Sequence, residues 1–302
     1  MALARPSRSA RRHLFQALWA LGTNAFLVGF ARGTIYSGRL KALCVPGLNC
    51  YSCPGALGSC PLGALQATLG SYEFQLPLYI SGFLMLVGTV LGRFVCGFLC
   101  PFGMVQELLY RIPFPKKWRS FPADPLLRYL KYFILVVFVL VLPFCLTDLI
   151  GQGYPWFCKL LCPAGTLEGG IPLLLSNETL RSAVGLLFAW KIGFFAVLLL
   201  LSMAIFRPFC RYLCPLGAIY AFLSPLALLH YERSDGCNGC GTCSTVCPMA
   251  ANPKHNPNPR ECIRCGACLS ACPQQALTVR FGFLTPSSLS DDAPHNSKFP
   301  EN

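Results

Sequence analysis

Eight cysteines near the carboxy terminus carry the most specific chemistry in the sequence. Cys237, Cys240, Cys243 and Cys247 fall in the order C-x2-C-x2-C-x3-C ahead of Pro248, and Cys262, Cys265, Cys268 and Cys272 repeat that order ahead of Pro273. A tight triplet of thiolates wraps three corners of an iron–sulfur cube, while the fourth cysteine of each run serves the other cube. The spacing therefore assigns Cys237, Cys240, Cys243 and Cys272 to one [4Fe–4S] cluster, and Cys262, Cys265, Cys268 and Cys247 to a second. Zinc is the competing reading, but zinc sites use two separated C-x2-C pairs, frequently with histidine. They leave eight cysteines in duplicated order unexplained.

A second cysteine system lies upstream. Arg93-Phe-Val-Cys-Gly-Phe-Leu-Cys-Pro-Phe-Gly103 matches Arg207-Pro-Phe-Cys-Arg-Tyr-Leu-Cys-Pro-Leu-Gly217 at six of eleven positions. Proline suits the first helical turn, where its missing N–H would have had no partner. Cys-Pro thus sets a thiolate at a helix start, where free N–H groups and the helix dipole favour negative charge. Cys96, Cys100, Cys210 and Cys214 supply two ligands from each copy, the count for one further [4Fe–4S] cluster. Arg93, Arg207 and Arg211 stand ready to neutralise it. The alternative is that these are packing cysteines, since free cysteine is commonly buried.

The same core recurs at Cys158–Gly165, and its second half at Cys60-Pro-Leu-Gly-Ala64. Cys60 and Cys162 match across the repeat, whereas Cys158 has no direct counterpart because position 56 is alanine. Cys53, Cys60, Cys158 and Cys162 are the favoured four for a candidate outer-face cluster, with Cys50 as the alternative ligand. A disulfide among the leftover cysteines is the competing use on an oxidising side.

These motifs need elements to hold them. The chain has 302 residues, 54% apolar and 12% charged, against about 25% charged in ordinary soluble domains. Mean hydropathy is +0.52. A purely soluble globular enzyme and a disordered chain are both disfavoured. A span needs about 20 apolar residues, and four stretches qualify: Leu14–Phe30, Leu76–Val95, Tyr132–Thr147 and Ala183–Phe206. Leu216–Leu229, broken by Pro225, reads as an interfacial helix. Arg5, Arg8, Arg11 and Arg12 precede the first stretch, and Arg111, Lys116, Lys117, Arg119, Arg128 and Lys131 cluster between the second and third. Basic residues favour the cytoplasmic side, so both termini are expected in the cytoplasm of a multi-pass membrane protein. The net charge of +13 is read in the same way rather than as a nucleic-acid surface. Lys191, inside the fourth stretch, is a candidate charge near a cluster or a snorkelling lysine.

The expected fold is an all-α polytopic membrane domain of four transmembrane helices in two pseudo-symmetric halves, plus a small α+β two-cluster ferredoxin-like domain. The domain limits are a basic cytoplasmic N-terminus at 1–12 and a membrane domain at 13–231, with halves about 13–115 and 126–231. The ferredoxin-like domain follows at 232–280 and a disordered tail at 281–302. Two spans per half leave both halves in one orientation, related by an axis along the membrane normal.

Cys96–Pro101, Cys210–Pro215 and the Cys237–Pro273 region together resemble the membrane-bound ferredoxin-type quinol dehydrogenase family, which includes NapH-like and MauN-like proteins and the membrane domain of NosR-like proteins. The outer cysteines depart from that pattern. The resemblance implies electron transfer linked to the quinone pool or to a cytoplasmic or outer-face redox partner. It also implies membrane lipid as surroundings and quinone as a further cofactor. The chain then reads as an electron-transfer subunit of an oxidoreductase. The rival reading is an accessory redox protein for metallocentre assembly or redox sensing.

Overall fold

A computed structural model of the chain describes residues 8–71, 77–148, 152–182 and 184–282. Arg5 and most of the expected tail, 283–302, lie outside the described residues, as do Leu76 and Ala183, the first residues of two expected spans.

Among the described residues two helices are long and apolar enough to cross a membrane, Asp124–Cys145 with 22 residues and Leu186–Ala204 with 19. They cover the third and fourth expected stretches. The first becomes a 16-residue helix, Arg8–Thr23, followed by a short helix Leu27–Arg32. The second becomes Leu78–Val90, of 13 residues.

Each Cys-Pro pair opens a helix, as the chemistry of proline requires. Pro61–Leu69, Pro101–Arg111 and Pro215–Leu223 all begin at the proline, with Cys60, Cys100 and Cys214 in extended conformation before them. Helical structure also starts at Pro163, after Cys162. Packing then crosses between the halves. Pro101–Arg111 lies against Leu186–Ala204, while Pro215–Leu223 lies against Leu78–Val90 and Asp124–Ile134. At the crossing, the fully buried rings of Phe102 and Phe209 meet edge to face at 5.4 Å.

This corrects the expectation for Leu216–Leu229. The segment is no interfacial helix, because Leu216, Ala218, Tyr220 and Ala221 are all buried. Small residues on that face let the helix sit between two neighbours.

The carboxy-terminal unit is closed by an antiparallel pair, β1 (Leu229–Arg233) and β2 (Leu277–Phe281). Its two cysteine runs fold alike. Gly241 and Gly266, at matching positions, have φ of +79° and +80°, and Gly239 has +70° where its counterpart Arg264 has +52°. A left-handed arginine is unusual, and its side chain accounts for it. Arg264, 3% exposed, donates to the carbonyls of Leu91 at 2.7 Å and Ser224 at 3.2 Å. One wrap of the cysteine loop is thereby bolted to the helical domain.

Candidate metal centres

The expected ferredoxin ligands converge in the crossed order. One small cavity is lined by Cys237, Cys240, Cys243 and Cys272, and a second by Cys247, Cys262, Cys265 and Cys268. Cys237 and Cys240 are exposed, whereas Cys268 is buried. The first site therefore faces solvent and the second faces the helical domain. Among the described residues no group of side chains converges on a single metal ion. Sulfurs spread around a small cavity suit the corners of a cube and not the centre of a zinc tetrahedron. A cube at each of these sites fits the residues present.

The helical domain brings Cys96, Cys100, Cys210 and Cys214 together. Each of Cys100 and Cys214 lies within electrostatic reach of the other members of the set. Burial pushes the Cys100 thiol up to about 12, and the neighbouring thiols add to that. The Cys214 sulfur accepts the Gly217 N–H at 3.3 Å, the helix-start contact expected from Cys-Pro-x-Gly. The arginines that open the two motif copies trade places. Arg93 donates to the carbonyl of Cys210 at 3.1 Å, and Arg207 donates to the carbonyl of Cys96. Both are fully buried and act electrostatically on the thiols of the quartet. Two guanidinium charges suit an anionic four-thiolate cluster. Arg211 does not join them. It turns to Asp124 at 2.6 Å and to the Arg119 carbonyl at 3.0 Å.

Several residues that motif reading overlooked complete this site. Gln106 donates to the Cys210 sulfur at 3.2 Å and accepts the Phe209 N–H at 3.1 Å. Glu107 holds Arg207 at 2.9 Å and Arg12 at 2.6 Å. Burial would raise the Glu107 carboxyl, but Arg207 and Arg12 outweigh it and hold it below its usual range. Glu261 pairs with Arg93 at 2.5 Å and also with Lys131. Its carboxyl is held at about 2, again because the cations outweigh burial. Glu261 precedes Cys262, so this ion pair ties a ferredoxin ligand loop to the arginine of the buried quartet.

Two further contacts tighten that junction. A side chain on Gly97 would collide with the Ile263 carbonyl. Gly97 lies between Cys96 and Cys100, and Ile263 lies between Cys262 and Cys265, so the two ligand loops touch directly. Arg128 donates to the carbonyls of Met249 and Ala250, both at 3.2 Å, just beyond Cys247. The basic residues read from sequence as orientation signals thus also grip the ferredoxin loops.

The candidate outer set, Cys53, Cys60, Cys158 and Cys162, lies close to the buried motif, with Tyr220 in electrostatic reach of Cys60 as well as of Cys96, Cys100 and Cys214. The loop leading into Cys50 turns back onto the buried motif: a side chain on Gly47 would stand 2.9 Å from the Leu99 carbonyl and 3.2 Å from the Cys100 Cα. Cys50, Cys60 and Cys158 all act electrostatically on Cys162, whereas Cys53 is coupled to Cys50 and Glu168. Lys191 does not snorkel away. Its ammonium donates to the Cys158 carbonyl at 3.3 Å. All nineteen cysteines are free thiols in this structure, so the disulfide alternative has no pair.

Comparison with known proteins defines the class. A 4Fe-4S binding domain model matches residues 73–122 and 186–229, and a 4Fe-4S dicluster domain model matches 230–273. The chain belongs to the ferredoxin-type 4Fe-4S protein family. It is 30% identical over 208 residues to an uncharacterized protein of Methanocaldococcus jannaschii, covering 66% of this chain and 77% of that protein. It is 27% identical to the methylamine utilization ferredoxin-type protein MauN of Paracoccus denitrificans, over 64% of this chain and 62% of MauN. The putative electron transport protein YccM of Escherichia coli is 27% identical over 54% of this chain and 43% of its own length. No solved structure matches the chain.

Proposed function

We infer that the chain is a membrane-embedded electron relay linking a cytoplasmic redox partner to the quinone pool or to a partner at the outer face. It is an iron–sulfur electron-transfer protein of the MauN type. The observation that carries the relay reading is the seat of the Cys262–Cys265 loop on the Cys96–Cys100 loop at Gly97. When bound, the clusters supply one-electron transfer, with potentials tuned by net charge, hydrogen bonds and solvent exposure.

The chain's own residues supply the rest. Cys237, Cys240, Cys243 and Cys272 present a solvent-facing site to a soluble partner. Cys247, Cys262, Cys265 and Cys268 stand next in line, and Cys96, Cys100, Cys210 and Cys214 are sealed from water behind them. Arg93 and Arg207 balance thiolate charge, and Gln106 fixes the Cys210 sulfur. No acid–base or nucleophilic role is assigned to any residue.

The surface supports the membrane setting. Leu14, Leu18 and Leu21 of the first helix are exposed while Arg12 and Gln16 are buried. The long helices behave likewise, with Leu126, Phe133, Leu186 and Leu200 outward and Lys131 and Ser202 inward. An apolar exterior around a polar interior is the arrangement lipid favours. Four spans with both termini cytoplasmic is the topology proposed for it, with Leu78–Val90 and Arg8–Thr23 as the shorter members.

Gly97→Val tests the relay. The added side chain would force the two ligand loops apart. With protein in vesicles and reduced viologen as donor, reduction of a short-chain quinone is expected to fall at least about tenfold, while iron content stays at the wild-type level. Equal rates for variant and wild type would contradict the relay.

A further inference from the structure

We propose that Cys50, Cys60, Cys158 and Cys162 hold a fourth [4Fe–4S] cluster, seated beside the Cys96/Cys100/Cys210/Cys214 quartet and separated from it by the Leu48–Asn49 dipeptide. The family models begin at residue 73 and skip 123–185, so neither covers these cysteines. The proposal rests on the relay reading for its use, but its evidence is independent of it.

The site is built like the first. Gln66 and Gln106 each stand six residues after the cysteine of a Cys-Pro-x-Gly start. Gln66 donates to the Cys158 sulfur at 3.4 Å and accepts the Phe157 N–H at 3.0 Å. Gln106 makes the same two contacts with Cys210 and Phe209. The Cys162 sulfur accepts the Gly165 N–H at 3.4 Å, as the Cys214 sulfur accepts that of Gly217. Two glycines line the space between the thiols. A side chain on Gly165 would lie 3.7 Å from the Cys162 sulfur and 3.8 Å from that of Cys50, and one on Gly63 would lie 3.9 Å from that of Cys158.

Ligand choice follows from the same placement. Cys50 faces Cys162 across Gly165 and touches Gly169, where a side chain would come within 3.5 Å of its sulfur. It thus fills the place that Cys96 holds in the first quartet, at a position with no sequence correspondence to it. Cys53 is buried and lies near Cys50 and Glu168, whereas Cys50, Cys60 and Cys158 are the thiols that act on Cys162.

The two quartets are neighbours. The N–H groups of Leu48 and Asn49, consecutive in the chain, face Cys100 and Cys60 respectively. Tyr220, fully buried, donates to the Pro46 carbonyl at 2.9 Å and lies within electrostatic reach of Cys60 as well as of Cys96, Cys100 and Cys214. The loop from Pro46 to Cys50 and the Tyr220 ring therefore form the wall that both sites share. Charge distinguishes them: Arg93 and Arg207 surround the first quartet, whereas Lys191 and the half-buried Glu168, which accepts the Cys50 N–H at 2.7 Å, flank the second.

Iron and acid-labile sulfide, counted per chain on full-length protein purified without oxygen, test the site. Wild type is expected to hold about sixteen of each, and Cys50→Ala and Cys158→Ala about twelve. Cys53→Ala is expected to match wild type. The electron paramagnetic resonance signals of the ferredoxin sites and the first quartet should persist in Cys50→Ala, which separates loss of one cluster from misfolding. Wild-type iron near twelve, unchanged by Cys50→Ala, would overturn the fourth site while leaving the three-cluster relay standing. Loss of iron in Cys53→Ala with none in Cys50→Ala would overturn the ligand assignment.

Discussion

Glu261→Gln is expected to release the ferredoxin domain from the helical domain without unfolding either. The substitution keeps size and shape but removes the charge that pairs with Arg93 and Lys131, both fully buried. Lys131 would then stay in a dry site without its carboxylate, and Arg93 would keep only the thiolates of the quartet. Breaking a buried ion pair from one side costs about 3–5 kcal/mol, and here one carboxylate serves two partners. The remaining bolts include Arg264 on Leu91 and Ser224, Arg128 on Met249 and Ala250, and Arg119 on the Thr245 carbonyl, hydrogen bonds worth roughly 1.5–3 kcal/mol each when the donor is charged. The exposed stretch 234–236 should become sensitive to limited proteolysis, and amide exchange around 260–264 should accelerate. Protection equal to wild type would show that the ion pair does not hold the domains together.

Glu107→Ala is expected to have an effect as large, but inside the helical domain. Glu107 binds Arg12 through both oxygens, at 2.9 and 2.6 Å, and Arg207 at 2.9 Å. Its loss strands two buried guanidinium groups, again a cost of about 3–5 kcal/mol. It also frees the first helix, whose grip on Pro101–Arg111 runs through Arg12. A lower thermal midpoint and partial loss of iron from the buried quartet should follow, because Arg207 would no longer be held over Cys96. Glu107→Gln, which keeps the acceptor oxygen, should fall between. A thermal midpoint and iron content unchanged in Glu107→Ala would rule out this role.

Much of the site was readable from residue order alone. The ferredoxin ligand sets and the Cys96, Cys100, Cys210 and Cys214 set follow from spacing because cube geometry and helix starts are local constraints. The placement of the remaining cysteines did not follow. Hydropathy puts Cys50, Cys60, Cys158 and Cys162 in connections between apolar stretches, and such a profile cannot show that a loop folds back between the helices. The choice of Cys50 over Cys53 depends on that return, which brings Gly47 onto Leu99 and Cys100. A usable signal was overlooked in Gln66 and Gln106, which share one offset from Cys-Pro-x-Gly. The arginine partners of Glu107 lie 95 and 100 residues away in sequence and the partners of Glu261 130 and 168, beyond any local pattern. Arg211 misled for the opposite reason: it sits inside the motif, yet Asp124 captures it.

The fold shows the same division. Helix starts at Pro61, Pro101 and Pro215 were fixed by local chemistry. Lengths were not, since Arg8–Thr23 and Leu78–Val90 end before the apolar runs Leu14–Phe30 and Leu76–Val95 do. Tertiary contacts decide those ends, with Gly92, at φ of +54°, lying against Arg264 where the chain leaves Leu78–Val90.

The central claim is that the ferredoxin ligand loops and the buried quartet form one contiguous set of iron–sulfur sites. Electron paramagnetic resonance of the fully reduced protein tests it most directly. Paramagnetic centres held by touching loops should interact, giving broadened, split signals that simplify when Cys214→Ala removes the buried cluster while the two ferredoxin sites stay loaded. A wild-type spectrum that is the plain sum of two ferredoxin signals, unchanged by Cys214→Ala, would contradict the account.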